Sequence, residues 1–244
     1  MKRTGQVALL LLACLSTPLH SSAQFQPSPN VVSVRELSIP AKAQHAFEQG
    51  LQCLAKKDAA GSLVHFQRAV EEYAGYYEAY DRMGAADLKL WRVADAEQAF
   101  RKAIDLSGEQ FAHPLIALGA ILNGQKKFAE AESVTRKGLN LQPDSWPGHY
   151  YLGLALFGLN RLADAEKSAR EALHWKADFP EAELLLADIH GREADYYSMV
   201  NDLDEYLRLA PDGPSSARIR TLRESVQNLL YGLQSRADTS ESQP

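Results

Sequence analysis

Cysteine is nearly missing from this chain: Cys14 and Cys53 are the two in 244 residues. Cys14 falls in a leader expected to be removed, which leaves Cys53 alone and excludes an intrachain disulfide as the brace of the fold. A surplus of positive charge is also lacking. Lys and Arg total 26 against 31 Asp and Glu, for a net charge of −5, and no basic stripe exists, so nucleic acid is a poor partner. No run of alternating Val, Ile and Thr is long enough to argue for strands. The apolar run from Val7 to Leu15 is nine residues, too short to cross a bilayer. No Gly-rich phosphate loop, H-E-x-x-H, G-x-S-x-G or paired-cysteine spacing occurs. His45, His65, His113, His149, His174 and His190 are scattered, without a recurring carboxylate at ligand spacing. Asp188 and His190, two apart, point to different sides of a helix. These absences argue against an enzyme and imply no cofactor and no metal.

What is present is one pattern five times over. Ser62-Phe66-Ala69, Ala96-Phe100-Ala103, Ala131-Thr135-Gly138, Ala165-Ala169-Ala172 and Met199-Leu203-Tyr206 align, with starts 34, 35, 34 and 34 residues apart. Twelve residues before each start stand Gly50, Gly84, Gly119, Gly153 and Ala187; twelve after stand Ala74, Gly108, Pro143, Ala177 and Pro211. A fixed period of this length marks stacked supersecondary units. Within each unit, apolar residues recur at steps of three and four in two stretches separated by a short polar turn, the pattern of two amphipathic helices. The small residues sit where the two backbones approach, and Phe66 and Phe100 are expected to fill the gap between one hairpin and the next. Lys57-Asp58, Trp91-Arg92, Gln125-Lys126-Lys127 and Asn160-Arg161 supply the turns, and Pro147, Pro180 and Pro214 stand near helix starts, where a missing N–H costs nothing.

The pattern resembles the tetratricopeptide repeat, W-x2-L-G-x2-Y followed by A-x3-F-x2-A and a proline. Met83-Gly84, Leu118-Gly119 and Leu152-Gly153 stand at its Leu-Gly pair, and Ala96, Phe100 and Ala103 match its second half; the consensus Trp is absent throughout. The resemblance implies an all-α fold, a right-handed superhelical array of helix-turn-helix repeats at 43–76, 77–110, 112–145, 146–179 and 180–213. It also implies a concave groove, lined by the first helices, that holds a peptide segment or helix of a protein partner. Carried over by position, the groove residues are Phe47 and Leu51, Glu78 and Asp81, Ile116 and Asn123, Tyr150, Leu154 and Phe157, and Leu184, Asp188 and Arg192. Tyr150, Leu154 and Phe157 form the main apolar stripe. Members that grip a C-terminal carboxylate place Lys and Asn at the first-repeat positions, where this chain has Phe47 and Leu51, so that clamp is not implied.

The flanks carry their own signals. Lys2-Arg3, the apolar run and Ser21-Ser22-Ala23 follow the order of a secretory signal peptide, expected to occupy residues 1–23 and to direct the chain to the periplasm or beyond. Leu11-Leu12-Ala13-Cys14 also resembles a lipoprotein box, an alternative in which Cys14 is acylated. Residues 24–42 form a Pro-containing arm that is either a spacer or an extended strand docking Val31, Val32, Val34, Leu37 and Ile39 on the first repeat. Cys53 occupies an inward helix position equivalent to Leu122 and Leu156 and reads as a small buried hydrophobe. The stretch 214–234 reads as a capping helix whose face is Ile219, Leu222, Val226, Leu229, Leu230 and Leu233, closing the array; residues 235–244 read as a disordered tail. Two functions remain open: an exported adaptor holding a protein segment in the groove, or an envelope protein that self-associates through its arm or capping helix.

Overall fold

In each hairpin the second helix is amphipathic and one recurrent turn joins it to the first, whereas the first helices of the third and fourth hairpins are apolar on nearly every side. The computed structural model of the chain describes residues 39–241, the last six by backbone alone. The leader, and the arm as far as residue 38, lie outside the described residues. Eleven α-helices and no strand occur among the described residues. They divide into two compact units, one through Pro143 and one from Asp144.

The first unit holds α1 (Ala41–Ala55), α2 (Ala59–Glu72), α3 (Tyr77–Lys89), α4 (Val93–Ser107), α5 (Ala112–Gly124) and α6 (Phe128–Leu141). Consecutive helices pair as hairpins, α1 on α2, α3 on α4 and α5 on α6, while α2 packs on α3 and α4 on α5. The second unit holds α7 (Trp146–Gly158), α8 (Leu162–Trp175), α9 (Pro180–Glu193), α10 (Tyr196–Leu209) and α11 (Ser216–Glu241). Here α7 pairs with α8 and α9 with α10, α8 packs on α9, and α11 lies on α10.

The turns explain the register. Lys57, Trp91, Lys126, Asn160 and Ala194 all have φ near +60°, the left-handed conformation that ends a helix in a Schellman motif. The following N–H reaches back five residues in every case: Asp58 to the carbonyl of Cys53, Arg92 to Asp87, Lys127 to Leu122, Arg161 to Leu156 and Asp195 to His190, each at 2.9 Å. Asp58 and Asp195 then cap α2 and α10, accepting from the N–H groups of Gly61 at 2.7 Å and Ser198 at 3.1 Å, which satisfies donors orphaned at a helix start.

Inside a hairpin the small residues permit contact. A Cβ at Gly84 would stand 2.8 Å from the Phe100 ring, and one at Gly119 would collide with Thr135 Oγ1. The phenylalanines therefore fill space within their own hairpin as well as toward the next. Phe100 shares its cluster with Ala117 and Ile121 of α5, whereas Phe66 lies over Gly50. The described end of the arm is held: Ile39 packs beside Ala43, Ala46 and Tyr76, and its carbonyl accepts from Gln44 Nε2 at 3.1 Å.

The last helix differs from the expected cap. It runs to Glu241 over 26 residues, past the boundary at 234, against 14 residues in α10. Ile219 and Val226 are buried on the α10 cluster, with Leu222 packed beside them. Leu229 and Leu233 are 45% and 47% exposed, although α10 reaches the far end of the helix as well, where Gln234 Nε2 donates to Tyr197 Oη at 2.8 Å.

Candidate partner-binding surfaces

The first-helix residues proposed for the groove fall into two groups. In the first unit, Phe47 is half-buried between the rings of Phe66 and Tyr76, at 5.5 and 4.9 Å, Leu51 is exposed, and Glu78 is half-buried. In the second unit Leu154, Phe157 and Leu184 are half-buried, and Asp188 and Arg192 are exposed. The Arg192 guanidinium lies 3.8 Å from the centre of the Phe157 ring. Its Nη1 donates to the Phe157 carbonyl at 3.1 Å and to Asn160 Oδ1 at 3.4 Å. Arg192, at the end of α9, thus closes the end of α7 and holds the aromatic ring in place.

Four expected groove residues are enclosed instead. Asp81 has no exposed surface; His113 Nδ1 lies 2.6 Å from its Oδ1 and Arg82 Nε 3.8 Å from its Oδ2. Ile116 turns into its own hairpin, where a Cβ at Gly138 would stand 2.7 Å from its Cγ1. Asn123 is buried in the last turn of α5, a helix enclosed at every residue from Pro114 to Asn123. Tyr150, expected to lead the apolar stripe, is 2% exposed, shut between Tyr151 at 5.4 Å and Phe179 at 4.9 Å. Of the expected stripe on α7, Leu154 and Phe157 are the side chains left partly exposed.

The histidines are less scattered than their sequence positions imply. His190, on α9, is 6% exposed. Its Nδ1 donates to Asp202 Oδ2 of α10 at 2.5 Å, and its Nε2 lies 3.4 Å from Glu166 Oε1 of α8. Arg170 Nη2 also reaches Glu166, at 2.6 Å. Burial works against charge on the His190 ring, but the hydrogen bonds and charges of Asp202 and Glu166 outweigh it and hold its pKa above the ordinary value. Burial also pushes Asp202 up, partly offset by His190. On the same helix as His190, burial pushes Glu183 up to about 7, with the Asp202 and Glu205 carboxylates adding and Arg208 opposing.

His190 holds the same repeat position as Cys53, Asp87, Leu122 and Leu156, the residue whose carbonyl accepts the turn hydrogen bond. Leu122 and Leu156 are fully enclosed, as an inward position requires, while Cys53 is only half-buried. Asp87 is the second polar occupant, 6% exposed. Burial pushes its carboxyl up to about 6, with Asp95 adding and Arg92 opposing. Aligning the five hairpins column by column picks out Asp87 and His190, since each puts a titratable group where its counterparts are apolar or thiol. Among the described residues no three His, Cys, Asp or Glu side chains group as a metal site, and no helix is long and apolar enough to cross a membrane.

No protein-family model and no curated protein sequence matches the chain. Solved structures do. MamA 41-end from Desulfovibrio magneticus RS-1 is 20% identical, covers 73% of this chain and 100% of its own, and superposes with a TM-score of 0.63. TTC0263, a thermophilic TPR protein of Thermus thermophilus, is 21% identical over 76% of this chain and 98% of its own, with a TM-score of 0.56. YrrB, described as a TPR protein with an unusual peptide-binding site, is 14% identical over 73% of this chain and 92% of its own, with a TM-score of 0.61. The chain has the tetratricopeptide-repeat fold.

Proposed function

We propose that the chain is a non-catalytic scaffold of the cell envelope that binds an apolar segment of a protein partner across the first helices of its second unit. The observation that carries this reading is the half-buried stripe Leu154, Phe157 and Leu184, with the Phe157 ring pinned by Arg192. Aromatic and aliphatic side chains held in place on a rigid helix lose little entropy when a partner covers them. Asp188 and Arg192 at its edge would set the register of polar groups on the partner. The fold shared with a protein whose description names a peptide-binding site supports the same reading.

Envelope placement rests on the leader. Intact mass of the exported chain tests it: a start at Gln24 is expected, and a start at Met1 or at an acylated Cys14 would overturn it. For the groove, a photo-crosslinker at Leu184 should trap a partner segment in envelope extract. The Leu154→Ala, Phe157→Ala double variant, folded by circular dichroism, should lose that adduct. Undiminished crosslinking would sink the groove reading. A second reading is favoured by α11, where Leu229, Tyr231 and Leu233 are 45, 59 and 47% exposed: self-association of the chain through this helix. Sedimentation separates the two, since only self-association raises mass with concentration in the absence of a partner.

A further inference from the structure

Apart from the groove, the first unit has an open cleft on its second-helix side. Leu63 and Val64 of α2 and Met83 of α3 form its apolar walls, while Asp87 of α3, Arg92 of the turn and Asp95 of α4 are its charged groups. Val64 is 70% exposed. The Asp87 side chain is 8% exposed, and its one ion pair among the described residues is with Arg92 Nη1 at 3.9 Å, beyond hydrogen-bonding distance. No side-chain hydrogen bond reaches it among the described residues. Arg92 is 55% exposed and turned to water, and Gln67 of the cleft spends its amide on Glu71 at 3.2 Å.

A buried carboxylate without a donor is costly unless something pairs with it. The equivalent residue in the fifth hairpin shows what pairing looks like: His190 is flanked by Glu166, 24 residues before it, and Asp202, 12 after. The residues at those offsets from Asp87 are Leu63 and Ala99, both apolar. The fold also accepts leucine in this slot, at Leu122 and Leu156, so packing does not require a carboxylate. Asp87 faces an apolar cleft open to solvent, with one net negative charge among Asp87, Asp95 and Arg92.

We propose that this cleft docks a lysine or arginine side chain of a protein partner, with the aliphatic stem against Leu63, Val64 and Met83 and the cationic head on Asp87. Long basic side chains combine an apolar stem with a charged tip, which is the chemistry the cleft displays from wall to base. A divalent cation fits poorly, because two carboxylates with an arginine beside them offer too few oxygens. The raised pKa of Asp87 agrees: Asp95 and Arg92 are the charged groups facing it, α2 contributes none to the cleft, and an added cation would draw its titration downward. This surface lies in the first unit and shares no residue with the Leu154–Phe157–Leu184 stripe of the second.

The test is carboxyl-carbon and methyl NMR on the full chain, titrated with the peptide acetyl-Gly-Leu-Arg-Leu-Gly-amide and with its neutral citrulline counterpart. The arginine peptide should shift the Asp87 carboxyl and the Val64 and Met83 methyls saturably, lower the Asp87 titration midpoint, and bind about tenfold more tightly than the citrulline peptide. Asp87→Asn should abolish that preference. Asp87→Leu, a residue the fold already carries at this slot, serves if the Asn variant fails to fold. The Leu154→Ala, Phe157→Ala variant should bind the arginine peptide unchanged, which separates failure of this site from failure of the groove. Equal binding of the citrulline peptide, or retained preference in both Asp87 variants, would overturn the proposal. So would Val64 shifts that grow with protein concentration alone, which mark a second copy, or spermidine matching the peptide, which marks a free amine.

Discussion

The second and fifth hairpins place a polar residue in the same slot and treat it in opposite ways. In the fifth, His190 is enclosed by the second helix of its own hairpin and that of the preceding one, and both supply a carboxylate, Asp202 and Glu166. In the second, Asp87 is enclosed just as well but meets Leu63 and an exposed arginine 3.9 Å away. Burial alone therefore does not tell a structural polar group from one available to a partner. The difference lies in whether the two neighbouring second helices bring complementary groups, because a buried charge is tolerated only where its field and hydrogen bonds are answered.

The largest expected effect breaks the satisfied side. His190→Leu removes the donor between Asp202 and Glu166 and leaves a partly buried carboxylate without it, so it should cost about 2–3 kcal/mol in denaturant unfolding at neutral pH. The same substitution at the unsatisfied slot should have the opposite sign. Asp87→Leu replaces an unanswered carboxylate with the residue already enclosed at Leu122 and Leu156, and should add about 1–2 kcal/mol. Equal destabilisation by both would mean that the two slots are energetically alike.

The pH dependence sharpens the same contrast. Asp87 has its folded-state pKa raised from 3.8 to about 6, so the native state holds a proton that the unfolded state releases. Between about pH 4 and 6 that contribution to stability falls as pH rises. Glu183, raised from 4.5 to about 7, acts in the same direction over its own window. The raised pKa of His190 gives stability that is complete below its ordinary 6.5 and lost as pH climbs through the folded value. All three predict a lower melting temperature at pH 8 than at pH 5, and Asp87→Asn should flatten the slope between pH 4 and 6 alone. A slope unchanged in that variant would contradict the shift at Asp87.

The smallest effect concerns the turn that follows this slot in every hairpin, after Leu122 in the third and after His190 in the fifth. Lys126 and Ala194 sit at φ +61° and +58°, a conformation that costs an L-residue roughly 1 kcal/mol more than glycine. Lys126→Gly and Ala194→Gly should each stabilise by about 0.5–1 kcal/mol. Similar gains in both units would show that the turn is equivalent whatever stands in the slot before it. Thermal melts of the two variants decide.

Much of the fold is legible in the residues. Steps of three and four place α1 through α10, the small column Gly50, Gly84, Gly119, Gly153 marks the close approach in the first four hairpins, and the turn pairs from Lys57-Asp58 to Asn160-Arg161 fall where helices reverse. The surface is less legible. Tyr150 lies on the expected helix, yet Tyr151 and Phe179 enclose it, and Asp81 is drawn in by a histidine 32 residues away. Periodicity says which side of a helix a residue occupies; it does not say which neighbour covers that side. The last helix shows the same limit, since an apolar face from Ile219 to Leu233 reads as uniform although Ile219 and Val226 are buried against α10 and Leu229 and Leu233 are exposed.

The sequence by itself determined that this chain folds as helical hairpins of one period, because amphipathicity, small residues at crossings and turn chemistry act over a few residues and are visible in them. It also showed which positions repeat. The tertiary structure alone decided that Asp202 and Glu166 meet at His190, that the one ion pair of Asp87 among the described residues is with an arginine 3.9 Å away, and that Tyr150 is shut in while Leu154 and Phe157 are not. Those outcomes depend on distances between helices far apart in the chain, and both burial and charge are properties of what surrounds a residue, not of the residue itself.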